Sequence, residues 1–444
     1  MKNSRFLADY GMIFVLVLLC AFFSVVTYSD QSPTGDAAAK QVAAAIQKQF
    51  GKTPRVLIAA SDQPGDVAFA AGIERELAAS GAQIAATVKG EPKDAREALV
   101  KINAAGGKLD AIACTQVTGA WLVFSDLKVD LPALGEPPVV TPRSYRWPNF
   151  LKSENLLNIA NQIAVIAIVA IGMTMVIITG GIDLSVGSLL ALSAVLAARF
   201  IRDFAGGMNA TFGGMLLACV AAIALCGIVG AFSGAMITRF AIPPFIVTLA
   251  MMLVGSGLAY LLAKGQSIYQ IPDSFVWLGR GADFVNLPNA VVLMLVLYAL
   301  AHVLMSRMKL GRYLYAVGGN GEAARLSGVP VKRVLMFAYI ASALLAGLGG
   351  VIMASQLKSG SATYGNMYEL YVIAAVVVGG TSLSGGEGKM LGTLTGAFTI
   401  AVIQNGMNLT NIESYTQKVV LGLVILFAVL LDTIRHRGWR GGAF

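Results

Sequence analysis

The sequence predicts an all-α polytopic membrane protein with about ten transmembrane helices and a small inserted α/β domain outside the membrane. Three observations carry that expectation. Hydrophobic residues make up 56% of the 444 and charged residues only 13%, against about a quarter charged in an ordinary soluble domain; so little charge cannot cover a water-facing surface. Apolar runs recur at the length that crosses a hydrocarbon core, roughly 20 residues. One long interval between the first two runs instead alternates short apolar strands with amphipathic helices.

The first run, from about Met12 to Val26, follows Lys2 and Arg5. A secretory signal peptide opens the same way, but Thr27, Tyr28, Ser29 and Asp30 make a poor small-residue cleavage site. Residues 1–29 are therefore expected to remain as the first transmembrane helix. Residues 30–147 are expected to form the insert and its linker. Asp36–Phe50 is alanine-rich with a helical period, Arg55–Ala60 reads as a buried strand, and Gly65–Ser80 is helical. Gln83–Val88 is a strand, Lys93–Ala105 a helix and Leu109–Cys114 a strand. Helices between short buried strands argue for a parallel layer. The stretch around Pro132, Pro137, Pro138, Pro142 and Pro148 reads as linker, because proline interrupts both regular structures. Trp147 and Phe150 stand where aromatic residues anchor a span at the membrane surface.

Residues 148–434 hold the remaining apolar candidates, near 156–179, 184–201, 213–238, 244–263, 289–306, 333–355, 369–383, 388–411 and 417–434. Many of their glycines, as between Gly213 and Ile237, suit close helix approach. Basic residues set the orientation, since short cytoplasmic loops are enriched in them. With the N-terminus inside, Arg239, Arg307, Lys309, Arg312, Arg325, Lys332, Arg333 and Lys389 fall on the cytoplasmic side. Arg435, Arg437 and Arg440, in a tail at 435–444, fall there too. Fewer short-loop cations (Arg199, Arg202, Lys264, Arg280, Lys358 and Lys418) fall outside. By this topology the insert is periplasmic.

Several chemistries are excluded early. The net charge of +9 is spread in short clusters between spans, not in the aromatic-interleaved stripe of a nucleic-acid binder, so no nucleic-acid partner is expected. Cys20, Cys114, Cys219 and Cys226 show no metal-ligand spacing, and His302 and His436 complete the histidines; neither a disulfide framework nor a zinc site is expected. No cofactor and no catalytic residue is expected. A phosphate loop needs G-x-x-x-x-G-K-[ST]. Gly388-Lys389 is followed by Met390, and Gly51-Lys52-Thr53 lacks the earlier glycine, Ile46 standing in its place.

The segment Asn158–Leu192, NIANQIAVIAIVAIGMTMVIITGGIDLSVGSLLAL, reads as a span, a glycine break and a second span. Gly180 and Gly181 release the first helix; Asp183 and Ser185 are placed to cap the next. An acidic residue beside a membrane break is also a functional candidate. Gly180–Gly187 (GGIDLSVG) is echoed by Gly379–Gly386 (GGTSLSGG); internal repeats with broken helices give such echoes, as does similar turn chemistry, and because both fall on the same side they argue poorly for an inverted repeat. Gly318–Val331 reads as a polar, glycine-flanked helix between two spans on the basic side. Asn320 is placed to cap it, Glu322 suits its first turn, and Arg325 follows at i+3.

On these residues the chain resembles the ribose-type sugar permeases of ATP-binding-cassette importers, within the wider group that includes branched-chain amino acid permeases. The likeness runs through GMTMVIITGGIDLSVGSLLAL, Leu310–Val329 (LGRYLYAVGGNGEAARLSGV) and Tyr371–Gly388 (YVIAAVVVGGTSLSGGEG), and covers most of 148–434. It implies that the helix holding Gly319, Asn320, Glu322, Arg325 and Gly328 docks on a separate ATPase subunit and transmits its closure. It implies as partners that ATPase, a periplasmic sugar-binding protein and a second permease subunit, identical or related, all in membrane lipid. The expected function is translocation of a sugar or related small polar solute across the bacterial inner membrane. Polar groups near the breaks, Gln162, Thr174, Thr179, Asp183, Ser185, Gln404 and Asn405, are the candidates for the path.

The insert departs from this family pattern. PRVLIAASDQPGDVAFAAGIERELAASGAQIAA and LDAIACT resemble the first half of one lobe of a periplasmic sugar-binding protein. Asp62, Gln63 and Asp66 follow its first strand, where open α/β sheets place ligands. Two other functions compete. An ion-coupled transporter needs intramembrane carboxylates, for which Asp183 and Glu369 are the near candidates. A membrane-anchored sensor needs only one span.

Overall fold

The first helix, α1, spans Lys2–Val26 in a computed structural model that describes residues 2–51, 53–125 and 127–437. It ends where Thr27 turns back: its hydroxyl donates to Phe23 O at 2.7 Å and accepts from Phe150 N at 3.1 Å. The chain divides here into two compact units, Met1–Thr27 with Asn149–Phe444, and Tyr28–Pro148. The helix expected to reach residue 29 therefore stops short. Tyr28–Gln31 is a strand, β1, antiparallel to Tyr145–Pro148, with Tyr28 opposite Pro148 and Gln31 opposite Tyr145.

Beyond β1 the second unit runs α2 (Gly35–Phe50), β2 (Arg55–Ala60), α3 (Pro64–Ser80), β3 (Gln83–Lys89), α4 (Pro92–Ala104), β4 (Ala111–Cys114), α5 (Leu127–Asp130), β5 (Val139–Val140) and β6 (Tyr145–Pro148). Its sheet has the order β3-β2-β4-β5, and every pair is parallel. Strand alternation sorts β2 into two cores. Val56, Ile58 and Ala60 pack with Val42, Ile46, Phe69 and Leu77 of α2 and α3. Leu57 and Ala59 pack on the other face with Leu99 and Phe124. The proline-rich stretch is not plain linker: it supplies β5 and β6. Proline cannot donate but still accepts, and Ile112 N donates to Pro138 O at 3.0 Å, so β5 can extend the sheet. Cys114 is fully buried, and burial pushes its thiol up to about 12, against a small opposing hydrogen bond with Thr118. With Cys20, Cys219 and Cys226 replaced by alanine, a maleimide at pH 8 should label the folded chain slowly and the denatured chain quickly. Rapid labelling of the native chain would contradict a packed second unit.

The first unit continues with α6 (Ser153–Ile178), α7 (Val186–Phe204), α8 (Phe212–Phe240), α9 (Pro244–Ala263), α10 (Trp277–Arg280), α11 (Asn289–Arg307), α12 (Lys309–Gly319), α13 (Gly321–Leu326), α14 (Val331–Leu357), α15 (Tyr368–Val378), α16 (Met390–Leu409) and α17 (Ser414–Arg437). Among the described residues, 5 helices are long and apolar enough to cross a membrane: α6, α8, α9, α11 and α14. α6 is the most enclosed. α8, α9 and α11 present large exposed apolar side chains, among them Leu217, Leu261 and Leu300, the surface a lipid-facing helix requires. Close packing rests on glycine: a Cβ on Gly172 would lie 2.5 Å from Ser342 Cα, and one on Gly230 2.7 Å from Tyr339 O.

The apolar segment expected as a helix over 369–383 is helical only to Val378. Gly380 takes φ +85°, a left-handed turn that glycine tolerates and that ends the helix. α15 therefore has 11 residues and is about 16 Å long, roughly half the hydrocarbon thickness. Of the expected tail, Arg440 lies outside the described residues.

Candidate translocation and coupling site

The α6–α7 break is built around a buried carboxylate. Asp183 is 2% exposed. Its Oδ1 accepts from Ser185 N at 3.0 Å and Ser185 Oγ at 2.6 Å. Its Oδ2 accepts from Ser342 Oγ on α14 at 2.8 Å. The capping role expected of this pair is corrected: Ser185 makes no side-chain cap on α7, and Asp183 instead closes a local turn onto the residue two ahead. It also ties the break to a neighbouring helix. Thr248 Oγ1 on α9 adds a bond to Ile182 O at 3.2 Å.

The second break follows α15. Its glycine loop returns to the end of α6, where Gly386 N donates to Ile178 O at 2.8 Å. The two echoed glycine stretches thus lie side by side, Gly385 against Gly180. The end of α12 meets them at Gly318 and Gly319, and Tyr315 donates its hydroxyl to Gly388 O at 2.8 Å.

From this junction the chain passes directly into α13, a helix of 6 residues. Asn320 Oδ1 accepts from Glu322 N at 3.1 Å and Ala323 N at 2.9 Å, filling two of the donors a helix start leaves open. Arg325 Nε donates to Glu322 at 3.3 Å. The guanidinium, by hydrogen bond first and charge second, holds the Glu322 carboxyl below its ordinary range. Both side chains are largely exposed, so the pair adds little stability and leaves its charges available to a partner. Gly328, at φ +84°, follows the helix end.

The seven expected path residues separate into two groups. Gln162 of α6 and Gln404 of α16 line a cleft of about 310 Å³. Gln356 and Tyr368 complete its polar lining, and Ile159, Ile163 and Met353 supply apolar wall. No charged residue lines it. The other five face protein. Thr174 Oγ1 meets Thr393 Oγ1 at 2.8 Å, and Thr179 donates to Val176 O at 2.7 Å. Asp183 and Ser185 are held in the break. Asn405 exchanges amide bonds with Asn155 at 3.0 and 2.8 Å. Ser342, Gln356 and Tyr368 escaped the sequence reading: each sits in an apolar helix with no local signal of its partner.

In the second unit Asp66 Oδ2 accepts from Ser61 Oγ at 2.7 Å and Thr115 Oγ1 at 3.3 Å. That carboxylate is engaged by its own strand ends, while Asp62 and Gln63 are exposed. A larger hollow of about 590 Å³ lies between β3 and α4, with Arg55, Asp94 and Lys101 in its lining. Among the described residues no group of three or more His, Cys, Asp or Glu is placed to hold a metal ion.

Residues 155–429 match the family described as branched-chain amino acid transport system / permease component, and the chain belongs to that family. It is 42% identical over 319 residues to the ribose import permease protein RbsC of Escherichia coli (strain K12), covering 71% of this chain and 95% of that protein. It is 38% identical over 292 residues to a probable ABC transporter permease protein, y4mJ, of Sinorhizobium fredii (strain NBRC 101917 / NGR234), covering 66% and 83%. With the D-allose transport system permease protein AlsC of Escherichia coli (strain K12) it shares 33% identity over 285 residues, covering 64% and 85%. No solved structure matches. The chain is thus a permease subunit of an ATP-binding-cassette importer, a transport component and not an enzyme. It works with an ATPase subunit and a binding protein as a multi-pass inner-membrane protein.

Proposed function

We propose that this permease carries a neutral sugar-class solute, driven by ATPase closure acting through α13, and that the solute passes Gln162 and Gln404 on its way. The observation that carries the reading is the uncharged cleft with its amide and phenol lining. Amides and a phenol pair readily with sugar hydroxyls, whereas a zwitterionic amino acid would leave both of its charges unpaired there. The relatives named for ribose and D-allose favour the same class. Thr174, Thr179, Asp183, Ser185 and Asn405 serve as the frame beside the path. The chain crosses the membrane about ten times, with both ends cytoplasmic and residues 30–147 in the periplasm, and works as a pair of permease subunits on two ATPases. The bias of short-loop cations toward one side supports that orientation.

The α13 reading has a direct test. Glu322→Arg places positive charge at a helix start and beside Arg325, costing roughly 0.3–1 kcal/mol locally, and removes the charge pattern offered to the ATPase. In vesicles holding the permease, its ATPase and its binding protein, labelled D-ribose serves as the probe and leucine as the competitor. Uptake should be insensitive to excess leucine, and Glu322→Arg should lose it at equal membrane content. Competition by leucine would overturn the solute class; parental uptake by the variant would remove α13 from the coupling route.

A further inference from the structure

We infer that Gly318 and Gly386 form a backbone joint that passes the movement of α13 to both helix breaks. The inference rests on the coupling role proposed for α13 and adds the residues through which that role is exerted.

Three chain segments meet there with no side chain between them. The last turn of α12 brings Gly318 so close to the end of α6 that a Cβ would overlap the carbonyl oxygen of Ile178. That same oxygen accepts from Gly386 N at 2.8 Å. A Cβ on Gly386, which sits at φ +76°, would lie 2.9 Å from Gly319 Cα and 3.0 Å from Gly319 N. Gly385 packs on Gly180 and on Gly318 O in the same way. Tyr315 holds the far side by donating to Gly388 O at 2.8 Å. Backbone in direct contact with backbone has no flexible side chain to absorb a displacement, and packed interfaces of this kind switch between arrangements instead of deforming smoothly.

The joint has one input and two outputs. Asn320 starts α13 two residues after Gly318, and its side chain fixes the first turn. Motion imposed on α13 therefore arrives at Gly318 and Gly319 with almost no slack. One output is the end of α6, whose following turn holds Asp183 against Ser342 of α14. The other is the loop after α15. That helix is a rod of 11 residues, about 16 Å long. The loop with Gly386 follows its far end, and Tyr368, in the cleft wall, begins it. A push at Gly386 along the rod is thus felt at Tyr368.

Gly318 has helical backbone, so alanine suits its local conformation better than glycine; only the contact with Ile178 and Gly386 opposes it. A Cβ on Gly257 of α9 would meet nothing within 4 Å, so this position provides the control. The experiment measures D-ribose uptake and ATP hydrolysis in the same reconstituted vesicles. Gly318→Ala should keep its ATPase and hydrolyse ATP, while uptake per ATP falls at least about fivefold, the lower end of ordinary coupling between sites. Tyr315→Phe, which removes one hydroxyl and keeps the ring, should lower the ratio by a smaller, measurable amount; Gly257→Ala should leave it unchanged. If Gly318→Ala does not assemble, Tyr315→Phe decides. An unchanged ratio in Tyr315→Phe, or in an assembled Gly318→Ala, overturns the joint. If Glu322→Arg uncouples in the same assay while these variants do not, the joint alone is wrong; if Glu322→Arg also has no effect, the α13 reading falls with it.

Discussion

Asp183→Ala should destabilise the membrane unit by about 3 kcal/mol, because it removes a buried acceptor serving three donors. Ser185 N, Ser185 Oγ and Ser342 Oγ all lose their partner at a site that is only 2% exposed. Ser342→Ala breaks only the bond between helices and should cost about 1 kcal/mol, within the range of hydrogen bonds between membrane helices. Asp183→Asn keeps an oxygen toward Ser185 and presents an amide to the Ser342 hydroxyl, which can accept; its loss should fall between the two. Unfolding of each variant in detergent, by heat or by denaturing surfactant, gives the order. A parental stability for Asp183→Ala would show that the break is held by packing alone.

Much of this architecture could be read in the chain. Binary pattern placed β2, β3 and β4 and their helices, because a parallel sheet covered on both faces leaves near-continuous apolar strands. Asn320, Glu322 and Arg325 were legible because a cap, a first-turn acid and an i+3 pair are local events. The α15 boundary was not. Val376, Val377, Val378 and Leu383 are apolar on both sides of the break, so hydropathy runs through it, and only the left-handed turn at Gly380 stops the helix. Long-range partners were equally hidden. Asp183 reads as a cap until Ser342, 159 residues away, is brought beside it. β5 and β6 were missed because prolines surround them, and proline marks a break unless it stands at a strand end or only accepts.

Replacing residues 32–142 with a short Gly/Ser linker should leave the membrane unit folded and reduce uptake mainly at low substrate. The geometry favours the first half. β1 and β6 remain, with Gln31 opposite Tyr145, so the linker closes a hairpin across strands already paired. Thr27 still binds Asn149 and Phe150, and each spanning helix satisfies its own backbone. For the second half, we propose that the insert helps to dock or retain the binding protein. Its Asp66 is engaged by Ser61 and Thr115, and its sequence resembles only part of one binding-protein lobe, so capture of sugar by the insert alone is the weaker idea. Loss of a tethering contact lowers the local concentration of loaded binding protein; uptake at scarce substrate should fall about tenfold and recover at excess binding protein. Equal uptake at every concentration would remove the docking role. Tight sugar binding by the insert would make it a receptor in its own right.

ATP hydrolysis by a partner, and no ion gradient, should move solute through this chain. Vesicles carrying the permease, its ATPase and its binding protein should accumulate labelled D-ribose only with ATP on the side that α13 faces. Accumulation should persist when ionophores collapse proton and sodium gradients. Accumulation by the permease alone under an imposed proton or sodium gradient, with no ATPase present, would show an ion-coupled transporter and return Asp183 and Glu369 to the role of ion-coupling carboxylates.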